Sequence, residues 1–227
     1  MNELVFLTDG SVNAEPYTTG DIIAKYAGLT HHAVNSLIYR YHRIISRKGK
    51  WSYVAFEMQR TKAGRLKKVY QLNEKQSSFL ITLFHNTPQV VRFKDALNEE
   101  FYAMKEELIA RRVAFKFGKQ SSKSLRDAVR DSDQFRDKAY MYVNSLMYMQ
   151  ALGLNARQIR ELRSIPKGKN ITEYLTADEA AALSKVKSQT SVLIELGMDY
   201  KQIKATLANQ GIIYQIKLEK PQQAITG

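Results

Sequence analysis

Residues 20–38, GDIIAKYAGLTHHAVNSLI, decide the fold, because they place small and apolar residues at the spacing of two short helices joined by a tight turn. Gly28 can adopt the positive φ that such a turn requires, and Thr30 is a suitable N-cap for the second helix. The small side chain of Ala24 allows the second helix to cross closely over the first. The residues predicted to pack between the helices are Ile22, Ile23, Ala24, Ala27, Val34, Leu37 and Ile38. This pattern predicts a helix-turn-helix.

The second helix of the pair is predicted to present a polar face to solvent. The residues on that face are His31, His32, Asn35, Ser36, Tyr39 and Arg40. Such a composition is typical of a helix that reads base edges in the major groove of DNA, where Asn suits adenine and Arg suits guanine. Short amphipathic helix pairs also occur in proteins that bind no nucleic acid, and plain surface positions are an equal alternative for the two histidines.

The distribution of charge favours the nucleic-acid interpretation. The chain of 227 residues has a formal net charge of +13. Residues 40–68 contain a single acid, Glu57, and a local excess of positive charge. The basic residues of this run are Arg40, Arg43, Arg47, Lys48, Lys50, Arg60, Lys62, Arg65, Lys67 and Lys68. They are predicted to lie where phosphates flank an inserted helix, and a solvated basic surface is the alternative.

Two predicted strands follow the helix pair. Residues 53–61 are rich in aromatic and β-branched side chains, residues 62–65 form a turn, and residues 66–72 return as a second strand with two alternating faces. A helix-turn-helix followed by a basic hairpin predicts a winged helix, whose tip contacts the sugar-phosphate backbone or a minor groove. Arg43 and the tip residues complete the predicted DNA-binding set: Lys62, Arg65, Lys67 and Lys68.

A smaller hairpin is predicted at the amino terminus. Residues 4–7 and 11–13 would pair around Asp9 and Gly10, a dipeptide typical of tight turns. Pro16 is predicted to end this hairpin, and Thr18 or Thr19 to begin the first helix.

The rest of the chain is predicted to be helical. Asn73 with Gln76 caps one helix, and Thr87 begins a long one that could pack on its own domain or on its twin in a dimer. Residues 118–123 are predicted to be a polar linker. Later helices are expected over residues 124–130, 140–152, 156–162, 177–196 and 199–208.

The predicted fold class is therefore mainly α with a small β component. A winged helix-turn-helix domain with long helices (residues 1–117) and a linker precede a helical partner-binding domain (residues 124–210) and a tail (residues 211–227). A soft surface for a protein partner is predicted in the second domain, and an ordinary core explains the same residues equally well. Its members are Tyr140, Tyr142, Met147, Tyr148 and Met149.

Catalytic and metal chemistry find little support in the sequence. The absence of cysteine excludes disulfides and thiolate chemistry. His31 and His32 are adjacent and point apart on a helix, and the other two histidines lack ligands at metal-binding spacing. There is no glycine-rich phosphate loop and no nucleophile elbow, so we expect no enzyme, no cofactor and no metal. No apolar segment suggests a membrane span or a signal peptide, and the expected location is the cytoplasm.

The sequence also resembles a known family, the phage-encoded regulators of the Rha type, which are related in use to phage antirepressors. The resemblance rests on the Asp9-Gly10 hairpin, the stretch TTGDIIAKYAGLTHHAVNSLI (residues 18–38), the strand ending Tyr70-Gln71-Leu72, and FLITLFHNTPQVVRFKDALNEEFYAMKEEL (residues 79–108). Residues 142–183 and 192–207 are similar to the carboxy-terminal segments of phage antirepressors.

The resemblance implies a phage or prophage protein that alters the choice between lysis and lysogeny in the bacterial host. It implies an antirepressor that binds a CI-like repressor, with an amino-terminal module for double-stranded DNA. The alternative is a repressor or activator that binds its operator directly and has no antirepressor activity. A homodimer or higher homo-oligomer is expected, since helix-turn-helix proteins read repeated half-sites as symmetric dimers.

Overall fold

The computed structural model describes residues 3–49, 53–61, 64–135 and 139–209. These residues are mainly helical and include one antiparallel sheet, which confirms the predicted class of mainly α with a small β component. The strands are β1 (Phe6–Leu7), β2 (Pro16–Thr19), β3 (Ala55–Arg60) and β4 (Leu66–Asn73). The helices are α1 (Gly20–Ala27), α2 (His31–Arg40), α3 (His42–Arg47), α4 (Glu74–Thr82), α5 (Pro88–Asp131), α6 (Ala139–Leu152), α7 (Ala156–Leu162), α8 (Ala177–Glu195) and α9 (Tyr200–Asn209), with a short 3-10 helix at Ile171–Tyr174.

The described residues form two compact units. The first unit contains residues 3–9 and 14–106, and the second contains residues 10–13 and those from 107 onward. Helix α5 contributes its first part to one unit and its second part to the other. Each unit has its own apolar core.

The sheet of the first unit has the strand order β1-β2-β4-β3. The hairpin of β3 and β4 occurs as predicted, with Phe56 opposite Tyr70 and Met58 opposite Lys68. Leu72, on the central strand β4, is fully buried in the core that α1, α2, α4 and the start of α5 complete. The sheet therefore supports the helices that carry the polar face predicted above.

The prediction for the amino-terminal hairpin is wrong in its second strand. β1 pairs with β2, and Leu7 lies opposite Pro16, which begins the strand instead of ending a hairpin. Proline has no N–H to donate, but this costs nothing at the first residue of a strand. Residues 11–13 do not return along β1, because Val12 bonds within the second unit: its N–H donates to the Glu173 carbonyl and its carbonyl accepts from Arg112 Nε.

The predicted linker at residues 118–123 is also wrong, because these residues are helical and continue α5. A Cβ at Gly118 would lie 3.3 Å from Ser184 Oγ, so the glycine marks a close approach of α5 to α8. Ser122 Oγ donates to the Gly118 carbonyl and accepts from Lys187 Nζ at 2.9 Å. Small polar residues here allow two helices to pack closely, and the separate helix predicted from residue 124 is the end of α5.

Local signals in the second unit set its helix boundaries as predicted. α7 spans the predicted residues, and capping boxes begin α7 at Asn155 and α8 at Thr176. Gly197, in the left-handed region, follows α8. The 3-10 helix at Ile171–Tyr174 was not predicted, and both of its end residues are buried in the core of the unit.

Candidate nucleic-acid interface

The turn between α1 and α2 has the predicted geometry. Gly28 is left-handed, with φ at +70°, and its N–H donates to the Ala24 carbonyl, as does the N–H of Leu29. Thr30 Oγ1 then accepts from the Ala33 N–H at 3.1 Å and caps α2. These local bonds explain why the chain turns at this glycine and starts a second helix three residues later, at His31.

The apolar side chains predicted between the helices pack largely as expected. Ile23, Val34 and Ile38 are fully buried in the core of the first unit. Ile22 and Leu37 are partly buried at its edge. The inner face of α2 is thus fixed, and its remaining positions point away from the core.

One part of the predicted polar face is open to solvent. His32, Tyr39 and Arg40 are exposed on α2, and Tyr39 keeps 82% of its accessible surface. Arg43, on α3, is exposed as well, while Ser36 is half-buried. Neither α2 nor α3 contains an acidic residue. This surface therefore combines an aromatic ring, two guanidinium groups and an imidazole with no acid in either helix.

Another part of the polar face is bound within the protein. His31 Nδ1 lies 2.5 Å from Asp21 Oδ1, and Asn35 Nδ2 donates to His31 Nε2 and to the Lys68 carbonyl. Lys67 Nζ forms an ion pair with the other carboxylate oxygen of Asp21. The carboxylate thereby links α1 to α2 and to β4.

Asp21 is a residue that the sequence analysis did not identify. An acidic residue in the first turn of a helix interacts favourably with the helix dipole. The position of Asp21 at the start of α1 therefore gave no reason to expect a further role. The fold brings Lys67, which is distant in sequence, to this carboxylate. His31, Asn35 and Lys67 therefore brace the outer face of α2 against the sheet and present less of their polar surface than the sequence suggested.

The β3–β4 hairpin carries an aromatic and cationic surface. Lys68 Nζ lies 3.9 Å from the centroid of the Phe56 ring and 4.7 Å from that of Tyr70. Stacking of this kind holds an ammonium group over aromatic faces. Arg65 is exposed near the hairpin turn, and Lys62 lies outside the described residues.

Helix α6 buries some of the residues predicted to bind a protein partner and exposes others. Met147 and Tyr148 are buried in the core of the second unit, where desolvation raises the pKa of Tyr148 to about 12. A partner cannot reach these two side chains, because α6 packs against α8 and buries them in this core. Tyr142 and Met149 are exposed, and half-buried Tyr140 stacks near Arg126.

Residues 18–106 match the family model described as phage regulatory protein Rha, a segment that includes α1, α2, the hairpin and α4. The match confirms the resemblance to phage regulatory proteins of the Rha type over these residues, which make up less than half of the chain. A search of curated proteins found no match.

Within the described residues, no group of three or more His, Asp or Glu side chains could hold a metal ion. None of the described helices combines the length and the apolar character that a bilayer crossing requires.

Proposed function

We propose that this phage regulatory protein is a transcriptional regulator of the choice between lysis and lysogeny, with a winged helix that binds double-stranded DNA. In this proposal α1 and α2 are the helix-turn-helix, α2 enters the major groove, and the β3–β4 hairpin is the wing. The observation that carries it is the acid-free surface of α2 and α3, on which Tyr39, Arg40 and Arg43 are exposed.

In this proposal the exposed residues of that surface make two kinds of contact with DNA. Arg40, the last residue of α2, has no ion-pair partner among the described residues, and its guanidinium fork is of the kind that binds guanine O6 and N7 together. His32 and Arg43 flank it, and phosphate contacts from such residues supply affinity that does not depend on sequence. The network of Asp21, His31 and Asn35 holds α2 in place beneath these groups, so it acts by positioning.

Replacing Arg40 by alanine tests the proposal. The operator is first selected from random DNA duplexes with the full-length protein. Arg40→Ala is then expected to cost about 1–3 kcal/mol of binding free energy for the selected duplex and to relax the preference at one base pair, measured by fluorescence anisotropy. Lys75→Ala removes an exposed cation on α4, outside this surface, and should leave binding unchanged. Equal affinities for both variants and the unaltered protein would refute the proposed interface.

The second part of the proposal is that the helical unit acts as an antirepressor by binding a CI-like repressor. Its support is the exposed side of α6, where Tyr142 keeps 64% of its surface and Met149 lies nearby in sequence, also exposed. Flexible Met and amphipathic Tyr side chains are common at protein interfaces.

The repressor interaction can be measured with the full chain. Tyr142→Ala is expected to weaken binding to the co-produced CI-like repressor by about tenfold or more, as truncation of an interface tyrosine commonly does. Tyr102→Ala, which removes an equally exposed tyrosine of the first unit, is the matched control. If the chain neither binds the repressor nor releases it from operator DNA, it is a direct regulator without antirepressor activity.

A further inference from the structure

A groove of about 870 Å³ opens in the first unit beside α2. Its walls are the α1–α2 turn, the side of α2, the segment that joins α4 to α5 and the start of α5. The floor is apolar and consists of Ala27, Leu29, Leu37, Leu83, Phe84 and Val90. Phe84 and Val90 are buried, so the floor continues the core of the unit.

The rim of the groove is cationic. Arg40 and Arg92 lie on it together with His85, and no acidic side chain of the described residues lines the groove. Neither guanidinium has an ion-pair partner in the part of the chain that the structure describes. Two free positive charges beside an apolar floor favour an occupant that is both apolar and acidic.

The shape of the groove favours a protein segment over a small molecule. Ligand pockets usually enclose most of a small molecule, whereas here His85, Pro88 and Gln89 on the rim are exposed. An open apolar groove is the form that takes one face of an amphipathic helix. Duplex DNA has no apolar surface that matches this floor. The tail of the chain is a poor match in charge, because Lys217 and Lys220 outnumber Glu219.

We propose that the groove binds an acidic amphipathic helix of a protein partner. Apolar side chains of that helix pack on Leu37 and Phe84, and its carboxylates pair with Arg40 and Arg92. Ser36 and Arg40 line the groove and also belong to the surface proposed for DNA. In that respect the inference rests on the proposed function: the partner helix and DNA exclude each other.

Peptide selection tests this inference without a known partner. A displayed library of random peptides long enough for four helical turns is selected against the full-length protein. The selected peptides are expected to carry apolar residues at i, i+3, i+4 and i+7 with acidic residues beside them. Arg92→Glu should weaken their binding at least tenfold, and Lys75→Glu, a charge reversal outside the groove, should not change it.

A competition measurement completes the test. A selected acidic peptide is expected to displace duplex DNA from the full-length protein. If the protein binds no DNA, the proposed function fails, while peptide binding and its loss in Arg92→Glu still support the groove. The inference is overturned if selection yields no acidic peptides, if Arg92→Glu leaves the affinity unchanged, or if sedimentation shows that Arg92→Glu disrupts a dimer, which would make a second copy the occupant.

Discussion

Replacing Arg163 by methionine is expected to lower the free energy of unfolding of the second unit by about 3–5 kcal/mol. Arg163 Nη2 donates to Glu179 Oε1 at 2.6 Å, and Nη1 donates to the Tyr174 carbonyl. Only 4% of the Arg163 side chain and 1% of the Glu179 side chain are exposed. Removing the guanidinium therefore leaves a buried carboxylate without its ion-pair partner. Urea denaturation followed by circular dichroism measures the loss.

The same carboxylate also begins a helix. Glu179 Oε2 accepts from the Thr176 N–H at 2.9 Å, while the Glu179 N–H donates to Thr176 Oγ1, which closes the capping box of α8. Loss of Arg163 thus affects the start of α8 as well as the ion pair. Hydrogen exchange at the first amides of α8 should increase together with the change in stability.

The expected loss depends on pH. Burial raises the pKa of Glu179, and the Arg163 guanidinium opposes this rise. In Arg163→Met the pKa of the carboxyl rises further above its unfolded value of 4.5. The destabilisation caused by the buried, charged carboxylate is present above the folded pKa of Glu179 and disappears below its unfolded pKa. The difference in free energy of unfolding between Arg163→Met and the unaltered protein should therefore shrink as pH falls towards 4.5.

Arg157→Met is the matched control for this experiment. Arg157 pairs with Glu161 at 2.8 Å on α7, but 86% and 64% of the two side chains are exposed. Such a pair contributes little to stability, because water screens both charges. Comparable losses in the two arginine variants would show that burial does not determine the contribution of Arg163.

Replacing Lys187 by methionine is expected to raise the free energy of unfolding by about 2–3 kcal/mol at neutral pH. Lys187 is buried on α8, and its Nζ donates to Ser122 Oγ at 2.9 Å, with no carboxylate partner among the described residues. Burial, with a smaller effect of Arg126, lowers the pKa of this ammonium to about 8. Methionine has a similar length and no charge to desolvate, and Ser122 still donates to the Gly118 carbonyl.

The pH dependence of the free energy of unfolding distinguishes the removal of a buried charge from improved packing in Lys187→Met. The folded pKa of Lys187 lies below its unfolded value of 10.5. The destabilisation caused by burying the ammonium is therefore fully present below about pH 8 and disappears as pH rises to 10.5. The advantage of Lys187→Met should therefore vanish over that interval. Lys185→Met, an exposed position on the same helix, should change stability by about 0.5 kcal/mol or less. An advantage that persists above pH 10.5 would contradict the assignment to charge burial.

Parts of the candidate site were predictable because their signals are local. Gly28 and Thr30 define a turn through bonds to residues within five positions, and the sequence shows such neighbours directly. The outward positions of Tyr39 and Arg40 follow from helical periodicity once the inner face of α2 is known. The groove at Arg92 gave no comparable signal, since its walls come from segments that are far apart in the chain.

Other assignments failed because one local pattern fits two environments. The alternating Tyr and Met residues of α6 have the same composition whether they face a partner or a core, and α8 covers Met147 and Tyr148. The polar residues around Gly118 indicate a linker unless a second helix approaches them closely. Whether α6 faces a core or a partner, and whether a second helix packs on Gly118, both depend on segments that are distant in the sequence.

The sequence by itself determined the helix pair, the hairpin, the capping boxes and the similarity of residues 18–106 to the Rha family model. The tertiary structure alone decided which polar groups remain free. It pairs His31 and Lys67 with Asp21, and it buries Arg163 against Glu179. Turns and caps are set by interactions over a few residues, whereas the burial of a charge and the choice of its partner depend on segments that meet only when the chain has folded.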